Sequence, residues 1–247
     1  MKPSYFMDAT NLLYLNDCYL RECDAVVTNA SSEYVELDQT VFYPTGGGQD
    51  HDTGFLVRGD GERVRVKDVQ KKGPILHYLE LAAGQKPFTA GERVHCVVDW
   101  ERRHKHMRMH TAQHLVSFVA MKLWGLSTAG NQLHENESRI DFTPVKFTPE
   151  TLKQLEDESN KLLAEGARVK VYEMDKDEML RKTDPRRTDL LKLPASVTRV
   201  RVIEIEGHDL CPCGGTHVSS LGEVGRIRIT GKENKGRERE RITYELA

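Results

Sequence analysis

His110 and His114 stand four residues apart, the spacing that puts two side chains one turn apart on the same face of an α-helix, where both imidazoles can reach one ion. Far downstream, Cys213-Gly214-Gly215-Thr216-His217 offers a thiolate and a third imidazole from a loop, whose glycines let the backbone turn sharply enough to bring the two together. A mixed His/Cys set of four suits zinc, and a zinc site kept open at one position brings the pKa of a bound water to about 7. Each half has a plain alternative. A chain with ten histidines can carry a His pair at helical spacing on a surface or in a core, and a Cys beside glycines can be a buried thiol in an ordinary turn. The joint occurrence of the two motifs favours zinc. The residues inside the first motif are Thr111, Ala112 and Gln113, so the His-Glu-x-x-His pattern of metalloproteases, with its built-in glutamate base, is absent and a peptidase is disfavoured.

These ligands need a helix, a loop and a scaffold to hold them. The metal helix is predicted to begin soon after Asp99-Trp100 and to run through about Leu123. Before it, short apolar or alternating stretches recur between turn signals: Asp24-Ala25-Val26-Val27, Tyr34-Val35-Glu36-Leu37, Gly54-Phe55-Leu56-Val57, 64–69 and 93–98, with Gly59-Asp60-Gly61 as a hairpin turn. That spacing suggests a small β-barrel. After the metal helix, 138–142 reads as a strand, Thr148 as the N-cap of a helix with Pro149 at its first position, and Leu152, Leu155, Leu162 and Leu163 as that helix's core stripe. Further strands are expected at 169–172, 200–205 and 226–229. The expected fold class is therefore α+β: a barrel domain over 1–97, then an α+β zinc-binding domain over 98–247 with an antiparallel sheet.

Composition narrows the class. With 247 residues, 38% of them hydrophobic and 30% charged, the chain can bury real cores. No apolar run reaches membrane-span length, and the first residues hold no signal-like segment, so a soluble protein is expected, without membrane partners and with the cytoplasm as its compartment. Five cysteines, at 18, 23, 96, 211 and 213, make no disulfide framework and read as reduced thiols. A net charge of −2 argues against indiscriminate nucleic-acid binding but leaves room for local basic clusters. Arg102, Arg103, Lys105 and Arg108 form the least diluted of these; others lie at Arg181, Lys182, Arg186 and Arg187 and between Lys232 and Arg241.

A glycine motif, Phe42-Tyr43-Pro44-Thr45-Gly46-Gly47-Gly48-Gln49, lies within the barrel region. Three consecutive glycines are costly to order, so they mark a place where backbone must approach something closely: a ligand, or a neighbouring domain in a hinge or packing role. The motif has neither the Walker pattern nor the spaced glycines of a dinucleotide site. Taken with His110-x-x-x-His114 and Cys213-Gly214-Gly215-Thr216-His217-Val218, it closely resembles the editing domain of alanyl-tRNA synthetase and its free-standing relatives, the AlaX proteins, over nearly the whole chain. The presence of the glycine-rich domain and the end soon after the 226–246 strands resemble the medium-length class.

The resemblance implies hydrolysis of mischarged tRNA(Ala), chiefly Ser-tRNA(Ala) and also Gly-tRNA(Ala), by zinc-assisted attack of water on the aminoacyl ester. It implies His110, His114, Cys213 and His217 as zinc ligands through which catalysis runs, Cys213 being the least certain of the four. It further implies Thr128 as the polar residue beside the substrate side chain, and Gly46, Gly47 and Gly48, flanked by Thr45 and Gln49, as a segment approaching the substrate from the barrel. Gln113 is expected to pack or support rather than to react. Arg102, Arg103, Lys105 and Arg108 are the expected tRNA contacts. The alternatives are a non-catalytic, zinc-stabilised RNA-binding module, threonyl-type tRNA editing, and a zinc hydrolase of small esters.

Overall fold

The computed structural model describes residues 10–184 and 196–247. Arg186 and Arg187 of the second basic cluster lie outside them. The chain divides into two compact units: one holds the chain up to Gly46 together with His51–Arg103, the other Gly47–Asp50 together with everything from His104 onward.

In the first unit six antiparallel strands close into a barrel in the order β2 (Glu22–Ala30), β3 (Tyr34–Leu37), β7 (Ile75–Glu80), β6 (Arg63–Lys71), β5 (Gly54–Arg58) and β8 (Arg93–Val98). A short parallel pair, β1 (Asn11–Leu12) with β4 (Gln39–Thr40), accompanies it. Alternation decides which side chains go inside. Along β6, Val64 and Val66 are buried while Arg63, Arg65 and Lys67 face out; a register shift between Val66 and Asp68 then turns Val69 inward as well. These valines join Val27, Val35, Leu37, Phe42, Leu56 and Cys96 in one apolar core, each fully buried aliphatic side chain contributing roughly 1.5–3 kcal/mol. The sequence reading expects five of the six barrel strands and omits β7, whose apolar run is interrupted by His77.

His77 is buried in that core. Its Nδ1 lies 3.2 Å from the Val35 carbonyl, which can only accept, so Nδ1 carries the proton and Nε2 accepts from the Thr40 hydroxyl at 2.8 Å. Burial pushes its pKa down to about 4, which keeps it neutral.

The second unit holds the helix α1 (Trp100–Trp124) from His104 onward, two antiparallel sheets and two further helices. One sheet runs β14 (Ile227–Asn234), β15 (Glu240–Leu246), β10 (Ser138–Thr143), β9 (Ser127–Leu133); the other runs β11 (Val169–Asp175), β12 (Arg199–Ile205), β13 (Asp209–Pro212). The helix α2 (Pro149–Glu165) starts as expected at Thr148: its hydroxyl accepts from the Thr151 N–H, and Thr151 returns a bond to the Thr148 N–H. Asn160 of α2 holds Ile227 of β14 by both its N–H and its carbonyl, at 2.9 and 2.8 Å. A short helix, α3 (Lys176–Lys182), follows β11. Tyr244 of β15 donates to the Met109 carbonyl of α1 at 2.8 Å, fixing the first sheet to that helix. Every residue from Thr111 to Ala120 is buried, so α1 is enclosed on all sides over that stretch, while Glu101, Lys105 and Lys122 nearer its ends are exposed. Among the described residues no helix is long and apolar enough to cross a membrane.

Candidate metal centre

Four side chains that are scattered in sequence converge in the second unit. One ligand atom from each of His110, His114, Cys213 and His217 lies within 4.8 Å of the others, about the span of two metal–ligand bonds of 2.0–2.3 Å. The histidines are buried and Cys213 is half-buried. Cys213 Sγ is 3.5 Å from His110 Nε2 and 3.3 Å from His217 Nε2. The His110 and His217 rings approach to 4.4 Å between centroids.

The loop can come this close because Gly215 has no side chain. A Cβ there would lie 2.1 Å from His110 Cε1 and 2.3 Å from its Nδ1, so any larger residue would push the Cys213–His217 loop off the helix.

The chemistry of the donors fits a metal ion. A ligating imidazole must be neutral, and burial, aided by the nearby Arg201 charge, pushes His110 down to about 3. His217 is lowered well below its ordinary value by the same burial and by its histidine neighbours. The Cys213 end of the loop is held in place by the Gly215 N–H, which donates to Sγ at 3.3 Å, and by Arg201, whose guanidinium donates to the Cys213 carbonyl at 2.6 Å.

Around the cluster lies a second ring of polar groups that the sequence reading did not assign as supports. Thr111 donates to the Met107 carbonyl at 2.9 Å, so its oxygen accepts from the Val218 N–H and from His217 Nδ1, both at 3.3 Å. That orientation turns His217 Nε2 toward Cys213. Gln49 sits fully buried, its amide 2.8 Å from His110 Nδ1 and 2.9 Å from the Thr216 hydroxyl. The legible signals were adjacency alone: Thr111 follows His110 and Thr216 precedes His217.

A separate hydroxyl chain runs from the same helix to β9. Gln113 Nε2 donates to Ser117 Oγ at 2.8 Å, and the Thr128 hydroxyl donates to the same Ser117 oxygen at 2.8 Å. Thr128 is half-buried and Gln113 buried. Of the glycine motif, Gly47, Gly48 and Gln49 belong to this unit, while Thr45 and Gly46 belong to the first, where the Thr45 hydroxyl pairs with His51 at 3.1 Å.

The basic cluster does not stay together as a surface. Arg103 is fully buried: it binds Asp52 through Nε and through a second guanidinium nitrogen, and also the carbonyls of Cys18 and Val41 at 3.0 and 2.5 Å. This corrects its expected role at a phosphate, because its donors are committed inside the first unit. Arg102 is half-buried with Nε on the His51 carbonyl, Lys105 is exposed and 3.8 Å from Glu135, and Arg108 is half-buried with Nε on the Val224 carbonyl.

Two stretches of the chain match family models of aminoacyl-tRNA synthetase domains. Residues 10–102 match the family of tRNA synthetases class II (A), and residues 200–243 match the threonyl and alanyl tRNA synthetase second additional domain. As a whole the chain belongs to the family of alanyl-tRNA editing proteins AlaX-M. It is 40% identical to the AlaX-M protein of Methanosarcina acetivorans, over 96% of this chain and 99% of the relative. It is 35% identical to that of Saccharolobus solfataricus, over 95% and 98%. It is also 38% identical to the alanine–tRNA ligase of Pyrococcus furiosus, where the match spans 95% of this chain and 26% of that protein.

Proposed function

We propose that this protein is an aminoacyl-tRNA deacylase that edits mischarged tRNA(Ala) in trans, hydrolysing chiefly Ser-tRNA(Ala) and also Gly-tRNA(Ala), in the cytoplasm. The observation that carries the reading is the buried His110/His114/Cys213/His217 cluster in a chain that matches proteins named for alanyl-tRNA editing along nearly their full length. We assign zinc to the cluster because three neutral imidazoles and one thiolate are its preferred ligands. When bound, zinc supplies a water acidified to a pKa of about 7 and a positive charge for the oxyanion of the ester's tetrahedral state.

The residues of the chain do the rest. His110 and His217 hold their lone pairs inward because burial keeps them unprotonated. Cys213, the one half-buried member, would hold the ion from the least enclosed side of the cluster. Thr128 gives its proton to Ser117, so its lone pairs accept from the hydroxyl of a seryl group. An alanyl group brings no hydroxyl and leaves that acceptor unpaired in a desolvated site, which is the kind of loss that discriminates strongly between isosteres. We assign Gly47 and Gly48 to the wall of the substrate site, and Arg102, Lys105 and Arg108 to the tRNA backbone, which makes affinity fall as salt rises.

The test is the deacylation rate of Ser-tRNA(Ala) beside Ala-tRNA(Ala), with protein stripped of metal and then reconstituted with zinc. Zinc-restored loss of serine with alanine spared supports the reading, and no hydrolysis by folded, zinc-loaded protein overturns it. A set of four protein ligands is also what a purely structural zinc site uses. His110→Ala separates the two, since a structural site unfolds with it and a catalytic one stays folded and inactive.

A further inference from the structure

The glycine motif raises a question that substrate contact does not answer: why its last residue, Gln49, is fully buried and turned away from the surface. The turn is fastened to the end of β9. The Leu133 N–H donates to the Gly48 carbonyl at 2.7 Å, the Asp50 N–H to the Leu133 carbonyl at 3.4 Å, and Gln49 pairs with Leu133 as an isolated parallel bridge. Gly48 has a φ of +87°, and a Cβ on it would fall 1.6 Å from Asn131 Oδ1 and 3.1 Å from the Asn131 carbonyl. Glycine is required there because the turn lies directly against β9, and the close approach delivers one side chain, Gln49, into the metal cluster.

The hydrogen bonds fix which way that amide points. The Thr216 backbone N–H can only donate, so the amide atom 3.2 Å from it is the oxygen, Oε1. The same oxygen is 2.8 Å from His110 Nδ1, which must therefore carry its hydrogen there. His110 is left with its lone pair on Nε2, the nitrogen that faces Cys213 Sγ. The amide nitrogen completes the frame by donating to the Thr216 hydroxyl at 2.9 Å, one residue before the ligand His217. One side chain thus braces His110 from the helix and the loop that carries Cys213 and His217.

We infer that Gln49 is a positioning residue of the metal site: it locks the tautomer and ring orientation of His110 and ties the Cys213–His217 loop to it, and the glycine turn exists to place it. The inference rests on the metal reading above. A partner that holds the far nitrogen of a ligating histidine commonly contributes a factor of about 10–100 in metal affinity or activity.

The experiment measures zinc affinity of the full chain by competition with a chromophoric chelator, together with the visible absorption of the cobalt(II)-substituted protein and kcat and KM for Ser-tRNA(Ala). Gln49→Leu, which keeps the bulk and removes the acceptor, is expected to weaken zinc about 10–100-fold, to alter the cobalt spectrum and to lower kcat with KM little changed. Gln49→Glu, which still accepts from both His110 and Thr216, is expected to bind zinc within a few-fold of the natural chain. Gly48→Ala is expected to reproduce the Gln49→Leu loss with Gln49 still present. Circular dichroism and thermal melting of the metal-free forms identify a variant that has lost its fold, in which case the Glu variant decides. Unchanged zinc affinity and cobalt spectrum in folded Gln49→Leu, with a raised KM alone, overturns the inference in favour of substrate contact. Failure of the natural chain to bind zinc removes the metal reading itself, whereas normal zinc behaviour without deacylation removes only the assigned reaction.

Discussion

Two buried polar clusters, one in each unit, draw on the same helix, and they differ in where their lone pairs and protons go. In the first unit Arg103 lies between Asp52 and two backbone carbonyls, and Asp52 also accepts from the Tyr43 N–H at 2.6 Å, so donors and acceptors are matched within the protein. In the second unit the outer nitrogens of His110 and His217 are held by Gln49 and Thr111, while their inner nitrogens converge with His114 and the Cys213 sulfur on one another. Matched charges brace a fold. Convergent lone pairs, which repel unless something positive joins them, make a site.

That contrast can be broken at its structural end first. Arg103→Ala strands Asp52 in the barrel unit, and breaking a buried pair from one side costs about 3–5 kcal/mol. Urea unfolding should show that loss, while Arg103→Met combined with Asp52→Leu should lose much less; equal losses would mean that the pairing is not what matters. At the other cluster His114→Ala should leave the fold intact and reduce zinc-dependent deacylation of Ser-tRNA(Ala) by more than the ~100-fold that a supporting residue contributes. Retained activity would move the metal elsewhere.

Acid should act on the barrel through His77. Its pKa is about 4 when folded against 6.5 in the open chain, so between those values the unfolded chain binds the extra proton and stability falls as pH drops. Well inside that window the loss approaches ~1.4 kcal/mol per pH unit, and His77→Gln should flatten the slope measured by urea unfolding across it. Smaller still, Thr128→Val should cut the preference for serine over alanine about tenfold, one hydrogen bond's worth, and unchanged selectivity in a deacylation assay would remove Thr128 from that role. Lys105→Gln should have the least effect, lowering tRNA affinity modestly and reducing the salt slope of binding by about 1.

Much of this was legible residue by residue. The alternation of Val64 and Val66 with Arg63, Arg65 and Lys67 marks a strand with one wet face, and Thr148-Pro149 marks a helix start, because both signals depend on neighbours a few residues away. The strand β9 was not legible: Ser-Thr-Ala-Gly-Asn-Gln-Leu has little strand character, and it is extended because β10 pairs with it. The extent of α1 was legible from the end of the barrel strands, but not the enclosure of its 111–120 stretch, since a helical segment buried on every side has no polar face to betray its packing.

The sequence by itself determined the ligand types and their local spacing. His110 and His114 must share a helix face and Cys213 and His217 must share a tight loop, because backbone geometry over four residues admits little else. Only the tertiary structure decided what those spacings were for. It brought Gln49 to His110 across 61 positions and to Thr216 across 167, and it buried Arg103 while leaving Lys105, two residues on, exposed. Such pairings rest on contacts between segments far apart in the chain, whose partners no local periodicity encodes.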